Sequence, residues 1–231
     1  KGVLAGEIPA SAHVDKEMHF CLGCYACMSA CPAGVQYDEI LETGRGFRPP
    51  AWWKKALLRF FFSSKVRLHF FARIARLARP LLALSTLAPV PEKKFTRQLL
   101  PAVVPAGGPR RARVALFTGC VMDVTSASIH VDCAEVLSRN GCEVHLLAAE
   151  ECCGALLGHA GDHEGAKKLA QKNIAAFRSP SPLPSPPLGA RELDALVVNA
   201  AGCGAYMKKY PSLLGETARD FSGKVWDIQE F

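Results

Sequence analysis

Four cysteines fall within eleven residues, Cys21-x2-Cys24-x2-Cys27-x3-Cys31, and Pro32 follows at once. This is the spacing of the bacterial ferredoxin run that holds [4Fe–4S] clusters. Three thiolates this close together wrap one corner of a cubane, and the amides between them are available to its sulfurs. Pro32 sets the chain direction where Cys31 leaves for a neighbouring cluster. In two-cluster ferredoxins that fourth cysteine serves the other cluster, so one run cannot complete two cubanes. A structural zinc site usually takes two separated pairs of ligands instead. Cys21, Cys24, Cys27 and Cys31 are therefore read as cofactor-binding, and this chain alone is expected to hold at most one ferredoxin-type cluster.

The other six cysteines lie in a strand–helix alternation. Residues 113–118, 142–147 and 194–198 are short apolar runs of strand character, and 126–140 and 163–177 have helical character. Cys120, the pair Cys152–Cys153, and Cys203 each follow one of the runs. In a parallel sheet the carboxyl ends of strands share one edge, where ligands bind. Three loops can thus bring these four thiolates together as a second metal centre. Gly119, Gly154, Gly202 and Gly204 flank them and allow close backbone approach. Four soft ligands suit zinc and an iron–sulfur cluster equally. Cys133, inside a helix, and Cys142, opening a strand, read as core residues. His159 and His163 lie close to the Cys-Cys-Gly turn, but a helix start or a solvated face is the stronger reading. No catalytic acid–base pair, phosphate loop or nucleophile–base motif stands out, so the chain reads as a wire and not as the subunit doing organic chemistry.

Charge separates the middle of the chain from the rest. Residues 45–113 carry 16 Lys/Arg against the single acid Glu92, while the whole chain has a net charge of +7. Such a block is an interaction surface for something acidic. No nucleic-acid motif accompanies it, and no nucleic-acid partner is expected. Trp53, Leu57, Phe61, Ser64, Leu68, Phe71, Ala75 and Ala78 recur at steps of three and four, which predicts one amphipathic helix, with Lys54, Lys55, Arg59, Lys65, Arg73 and Arg76 mostly on its other side. A helix covering the cysteine domains is the first reading, and a helix lying on anionic lipid is the second. The chain opens Lys1-Gly2-Val3 without an apolar leader, and its longest uncharged apolar stretch in the middle, Pro80 to Pro91, is too short to span a bilayer. A cytoplasmic protein is expected, with peripheral attachment to the membrane face under the lipid reading. The Pro/Ser run at 179–187 is expected to be an exposed loop.

These motifs, in this order, resemble one family. Cys21-Leu-Gly-Cys-Tyr-Ala-Cys-Met-Ser-Ala-Cys-Pro-Ala-Gly-Val-Gln-Tyr37 and Leu41-Glu-Thr-Gly-Arg45 resemble the second ferredoxin motif of the glycolate oxidase iron–sulfur subunit. Thr118-Gly-Cys-Val-Met122, Glu151-Cys-Cys-Gly-Ala155 and Ala201-Gly-Cys-Gly-Ala-Tyr206 resemble its first cysteine-rich (CCG) domain. The implied fold is a mix of α+β and α/β: a partial ferredoxin-type segment over 1–45, a basic helical connector over 46–111, and a CCG domain with a mainly parallel sheet over 112–231. The resemblance implies a flavoprotein dehydrogenase partner oxidising glycolate or D-lactate, and a membrane or quinone-linked acceptor. Family members carry a further ferredoxin motif upstream and a second CCG domain downstream, so residues 1–20 are expected to be a connector and 225–231 a link. CCG domains also occur in heterodisulfide reductases, lactate-utilisation proteins and the anaerobic glycerol-3-phosphate dehydrogenase C subunit. A heterodisulfide or thiol reductase, a subunit of that C type, and a zinc-holding scaffold are the alternatives.

Overall fold

The computed structural model describes residues 2–3, 5–9, 11–21, 23, 26–47, 51–82, 90–179 and 192–231. Cys24 and residues 180–187 of the Pro/Ser run lie outside these. The N-terminal part is helical. α1 (Ala12–Phe20) starts at Ser11, whose hydroxyl accepts the Val14 N–H, and α2 (Ala26–Ser29) and α3 (Tyr37–Gly46) follow. α3 packs on α1 at Gly44, where an added Cβ would lie 2.8 Å from Met18 Sδ. Arg45, buried at the end of α3, donates to the carbonyls of Met18 and Cys21 at 3.1 and 2.5 Å. These bonds fix the chain where the cysteine run begins.

The single helix expected over 53–78 is two helices, α4 (Trp52–Phe62) and α5 (Lys65–Leu82). The break has a cause outside both. The Glu151 carboxylate accepts the Lys65 N–H at 2.7 Å, satisfying one of the orphan donors of a new helix start. Arg67 straps the joint by donating to the Phe60 carbonyl and the Ser63 hydroxyl. The spacing predicts Arg59 and Lys65 on a solvated side, but both are tied into the fold, Arg59 while still partly exposed and Lys65 by burial. Arg59 reaches both oxygens of Asp162 at 2.5 and 2.6 Å, and the Lys65 ammonium is buried against Glu150 at 2.7 Å.

After α6 (Thr96–Leu99) comes an α/β unit: β1 (Val103–Val104), β2 (Ala112–Phe117), α7 (Val121–Thr125), α8 (Ala127–Arg139), β3 (Cys142–Leu146), α9 (Ala155–His159), α10 (His163–Arg178), β4 (Ala195–Val198), α11 (Ala201–Lys208), α12 (Tyr210–Leu214), α13 (Arg219–Gly223) and β5 (Val225–Asp227). The sheet order is β1-β3-β2-β4-β5, with β1 antiparallel to β3 and every other pair parallel. Val114 on the central strand sits opposite Val144 on one side and Ala195 on the other. The C-terminal stretch expected as a link supplies β5, because buried Val225 pairs with Leu196 at the sheet edge.

The strands are apolar almost throughout because both faces are covered. Val114, Leu116, Val144, Leu146, Ala195 and Val197 pack with Cys133, Ala134 and Leu137 of α8. Ala115, Phe117, Leu196 and Val198 pack with α10 and with Tyr206, Met207, Tyr210 and Phe221. Cys133 and Cys142 lie in the first of these layers. From β2 the chain moves to β3 on one side, and from β3 it crosses to β4 on the other. That reversal opens a crevice at the carboxyl ends of β2 and β4, the usual place for a ligand in such a sheet.

Candidate metal centre at the carboxyl edge of the sheet

Three loops at this edge carry four thiols. Cys120 follows β2 after Gly119, which has φ +66°, and Cys152–Cys153 lead into Gly154, which has φ +91°. A Cβ on Gly154 would also meet the Ala166 carbonyl at 3.2 Å, so this turn requires glycine on both counts. Cys203 lies in the first turn of α11, its N–H donated to the Ala200 carbonyl at 2.8 Å. Gly202 has open space where a Cβ would go, so the close approach expected there is not made. Cys120 and Cys152 stand 3.1 Å apart at sulfur, and Cys153 and Cys203 stand 3.3 Å apart. Cys120, Cys152 and Cys153 are buried, and Cys203 forms the half-buried rim.

The pairs are electrostatically unequal. Hydrogen bonds from the Cys120 and Cys153 thiols, the Gly154 N–H and the nearby Lys65 charge hold Cys152 well below an ordinary thiol pKa despite its burial. The same contacts and burial push Cys120 and Cys153 upward. Metal binding to such a set releases the remaining protons. Two thiolates on one tetrahedral zinc at about 2.3 Å lie about 3.8 Å apart, so each pair must separate by a fraction of an ångström to share an ion. Among the described residues no group of three or more His, Cys, Asp or Glu side chains is already arranged around a cation position. The donor chemistry, four sulfurs in a largely buried site, fits zinc and iron–sulfur alike.

A polar scaffold braces these loops, and most of it escapes sequence reasoning. Asn173 of α10 accepts the Glu151 N–H at 2.9 Å and donates to the Cys152 carbonyl at 2.9 Å. The Tyr210 hydroxyl donates to the Cys153 carbonyl at 2.8 Å and receives a 3.3 Å bond from Asn173. Asn173 had a signal: it interrupts the apolar stripe Leu169–Asn173–Phe177 in the middle of a helix. Below the Cys120 loop, buried Glu150 accepts from the Thr118 N–H and hydroxyl and from Lys65. Lys65 also donates to the Thr118 hydroxyl at 2.6 Å and lies 3.5 Å from Asp123. Burial alone would raise the Asp123 carboxyl, but His69 at 2.9 Å, Lys65 and the Thr96 N–H pull it far below the usual range.

The ferredoxin-type run is organised differently. Cys27 is exposed, Cys21 and Cys31 are half-buried, and Cys24 lies outside the described residues. The N–H groups of Val35, Ala33 and Gly34 hydrogen-bond the Cys31 sulfur and lower its pKa. The Cys21 sulfur accepts the Gly23 N–H at 3.4 Å and hydrogen-bonds the Tyr37 hydroxyl, whose pKa it raises. α3 docks this segment onto the α/β unit through the ion pair of Asp38 with Lys209 and through Glu42, 3.9 Å from His159. His159 is half-buried at the end of α9 against Tyr206, and its pKa is lowered by burial and by Arg45 and Lys209. His163 opens α10 behind its cap Asp162.

Residues 114–208 match the CCG family of cysteine-rich domains. The chain is similar to the probable glycolate oxidase iron–sulfur subunit of Bacillus subtilis, 30% identical over 99% of this chain and 56% of that protein. It is similar to the glycolate oxidase iron–sulfur subunit of Escherichia coli, 29% identical over 100% of this chain and 54% of that one. Lactate utilization protein A of Macrococcus caseolyticus is 28% identical over 52% of this chain and 46% of its own length. The chain thus spans about half the length of these curated relatives. No solved structure matches it.

Proposed function

This chain belongs to the CCG-domain family that includes the glycolate oxidase iron–sulfur subunits, and on that premise we propose that it is the electron-carrying subunit of a flavin-dependent 2-hydroxy acid dehydrogenase acting on glycolate or D-lactate. The observation that carries this reading is the assembly of Cys120, Cys152, Cys153 and Cys203 at one sheet edge, in a chain that aligns throughout with those subunits. Cys21, Cys24 and Cys27 would hold a [4Fe–4S] cluster, with Cys31 facing a neighbouring one. The four CCG cysteines would hold a second centre, iron–sulfur or zinc. Iron–sulfur centres, when bound, supply one-electron transfer.

The chain's own residues supply support for that chemistry. The amides of Ala33, Gly34 and Val35 stabilise charge on the Cys31 sulfur. Asn173 and Tyr210 hold the backbone of the Cys-Cys turn. The organic oxidation falls to a flavoprotein partner, which would dock at the exposed Cys27 end, with a quinone-linked acceptor at the CCG end. A second reading, a thiol–disulfide reductase, is favoured by one feature: both sulfur pairs sit in direct thiol contact.

Iron and acid-labile sulfide analysis of anaerobically purified protein tests the proposal, together with the paramagnetic signal on reduction. Iron, sulfide and a reducible signal are expected, and Cys24→Ser should abolish the ferredoxin-type part. Cys153→Ser and Cys203→Ser should each remove the same second centre, and the double variant little more, because ligands of one centre act as a unit. Zinc without sulfide would leave a scaffold. Cysteine content that cycles between thiol and disulfide without metal would favour the reductase.

A further inference from the structure

α4 and α5 each have two apolar stripes, and only one is used. The inner stripe, Leu58 and Phe62 on α4 with Leu68 and Ala72 on α5, packs on the two cores beneath. The outer stripe is Trp53, Leu57 and Phe60 on α4 and Val66, Phe70, Ile74 and Leu77 on α5, recurring at steps of three and four and pointing away from the protein. Trp52 beside it is 81% exposed, Val66 79% and Leu77 77%. The two halves meet at a ring cluster, with Phe60 and Phe61 edge-on to Phe71 at 5.6 and 5.1 Å and Phe70 edge-on to Phe71 at 5.4 Å. The result is one apolar surface running over both helices, of the kind that marks an interaction site.

Charge says what covers it. From residue 43 to residue 91 the chain has ten Lys/Arg and no Asp or Glu. Lys55, Arg59 and Lys65 are spent on Asp162 and Glu150 inside the fold. Arg67 is spent on the Phe60 carbonyl and the Ser63 hydroxyl at the joint. Lys54 and Arg73 remain exposed beside the outer stripe, Lys54 over the Trp53 ring at 5.4 Å and Arg73 over the buried Phe95 ring at 5.2 Å. A protein partner's interface has a core depleted of lysine and a rim of both signs. A surface of tryptophan, phenylalanine and leucine on helices whose own charges are all cations is instead the composition of a helix lying in a lipid headgroup layer. Among the described residues no helix is long and apolar enough to cross a membrane, so contact of this kind would be in-plane.

We propose that the outer face of α4 and α5 seats the protein on a bilayer containing anionic phospholipid, with Trp52, Trp53, Phe60, Phe70 and Leu77 in the headgroup–acyl boundary and Lys54 and Arg73 on lipid phosphates. The inference deepens the proposed function by giving the subunit a place beside a membrane acceptor, yet it stands on the surface alone.

Sedimentation of the purified full chain with vesicles tests it. Binding is expected to vesicles of phosphatidylglycerol mixed with phosphatidylcholine at low salt, and at least tenfold less to phosphatidylcholine alone or at 1 M salt. The Lys54→Gln, Arg73→Gln variant should bind about thirtyfold more weakly, and Trp53→Ser, Phe70→Ser, Leu77→Ser should abolish insertion. Arg139→Gln with Arg219→Gln, on exposed helix surfaces elsewhere, should change nothing. A second readout does not depend on those variants folding. In Trp226→Phe the remaining tryptophans are Trp52 and Trp53, and brominated acyl chains should quench them. No pelleting with phosphatidylglycerol at low salt, binding indifferent to both variants, or no quenching overturns the proposal. Iron and sulfide content of the same sample reports separately on the electron-carrying role.

Discussion

The two cysteine regions solve the problem of presenting four sulfurs in opposite ways. In the run from Cys21 to Cys31 the thiols are near neighbours in sequence, and the groups serving the sulfurs of Cys21 and Cys31 are mainly backbone N–H. Little apolar burial backs it, since α1 has no buried residue. At the sheet edge the thiols come from three loops, three of the four are buried, and side chains from α5, α10 and α12 hold the loops in place. A local run needs only a short backbone path and leaves its final order to the metal. A site assembled across a sheet has its loops braced by the protein before any metal arrives, and the metal has only to spread the sulfur pairs. Substitutions in the scaffold should therefore cost the sheet-edge site stability and leave the run nearly untouched.

The largest such effect is expected at Lys65. Lys65→Met keeps the side-chain stem but leaves Glu150, buried beside Thr118, without its cation. Removing one partner of a buried ion pair typically costs about 3 kcal/mol or more. For a chain this size that lowers Tm by roughly 6–12 °C. The tie between the connector and the cysteine loops should loosen with it, so metal at the CCG cysteines should fall while any cluster at the run persists. Equal loss from both sites, or an unchanged Tm, would break the contrast drawn above.

Tyr210→Phe is a smaller and cleaner change. It deletes one hydroxyl that donates to the Cys153 carbonyl and accepts from Asn173. Two buried polar atoms lose a partner while the packing on Phe221 is kept, for a cost of about 1–2 kcal/mol. The denaturation midpoint should drop with no change in m, which identifies a stability effect and not a looser unfolded chain. A variant as stable as wild type would mean that the Cys152–Cys153 turn needs no strap.

The difference between the regions also decides what the sequence reveals. The strands β2, β3 and β4 are legible because burial on both faces writes them as short apolar runs, and their order places Cys120, Cys152, Cys153 and Cys203 on one edge. Which thiol faces which is set by the turn geometry of Gly119 and Gly154 and by the start of α11, and no spacing rule carries that. The period of the connector helix is legible too, but its break at Ser63–Ser64 is not, since the group that caps the new helix is Glu151 from another loop. Lys65 reads as one more surface lysine for the same reason: its partners Glu150, Thr118 and Asp123 lie far along the chain. β5 is hidden by its length, a three-residue strand that exists only because β4 offers it an edge.

The smallest expected effect lies at the joint between the regions, where α3 meets the α/β unit. Burial would raise the Asp38 carboxyl, but Lys209 outweighs it and the pKa is lowered. A depressed carboxylate contributes stability that is present above its unfolded value, about 3.9, and is lost as pH falls through the folded value. Glu42, on the same face of α3, has the opposite sign, since burial raises its pKa despite Lys209 and His163. Its protonation on acidification favours docking, so the two carboxyls partly cancel in the wild-type chain. Asp38→Asn separates them. At pH 7 it should speed amide hydrogen exchange in α3 several-fold, an effect of about 1 kcal/mol on local opening, with little change in β2–β4. As pH falls through the lowered pKa of Asp38 the variant and wild type should converge, because Asp38 loses its charge there. Faster exchange in the sheet as well would mean that the segment and the sheet open as one unit, and that the ferredoxin-type run depends on the α/β unit more than its exposed sulfurs indicate.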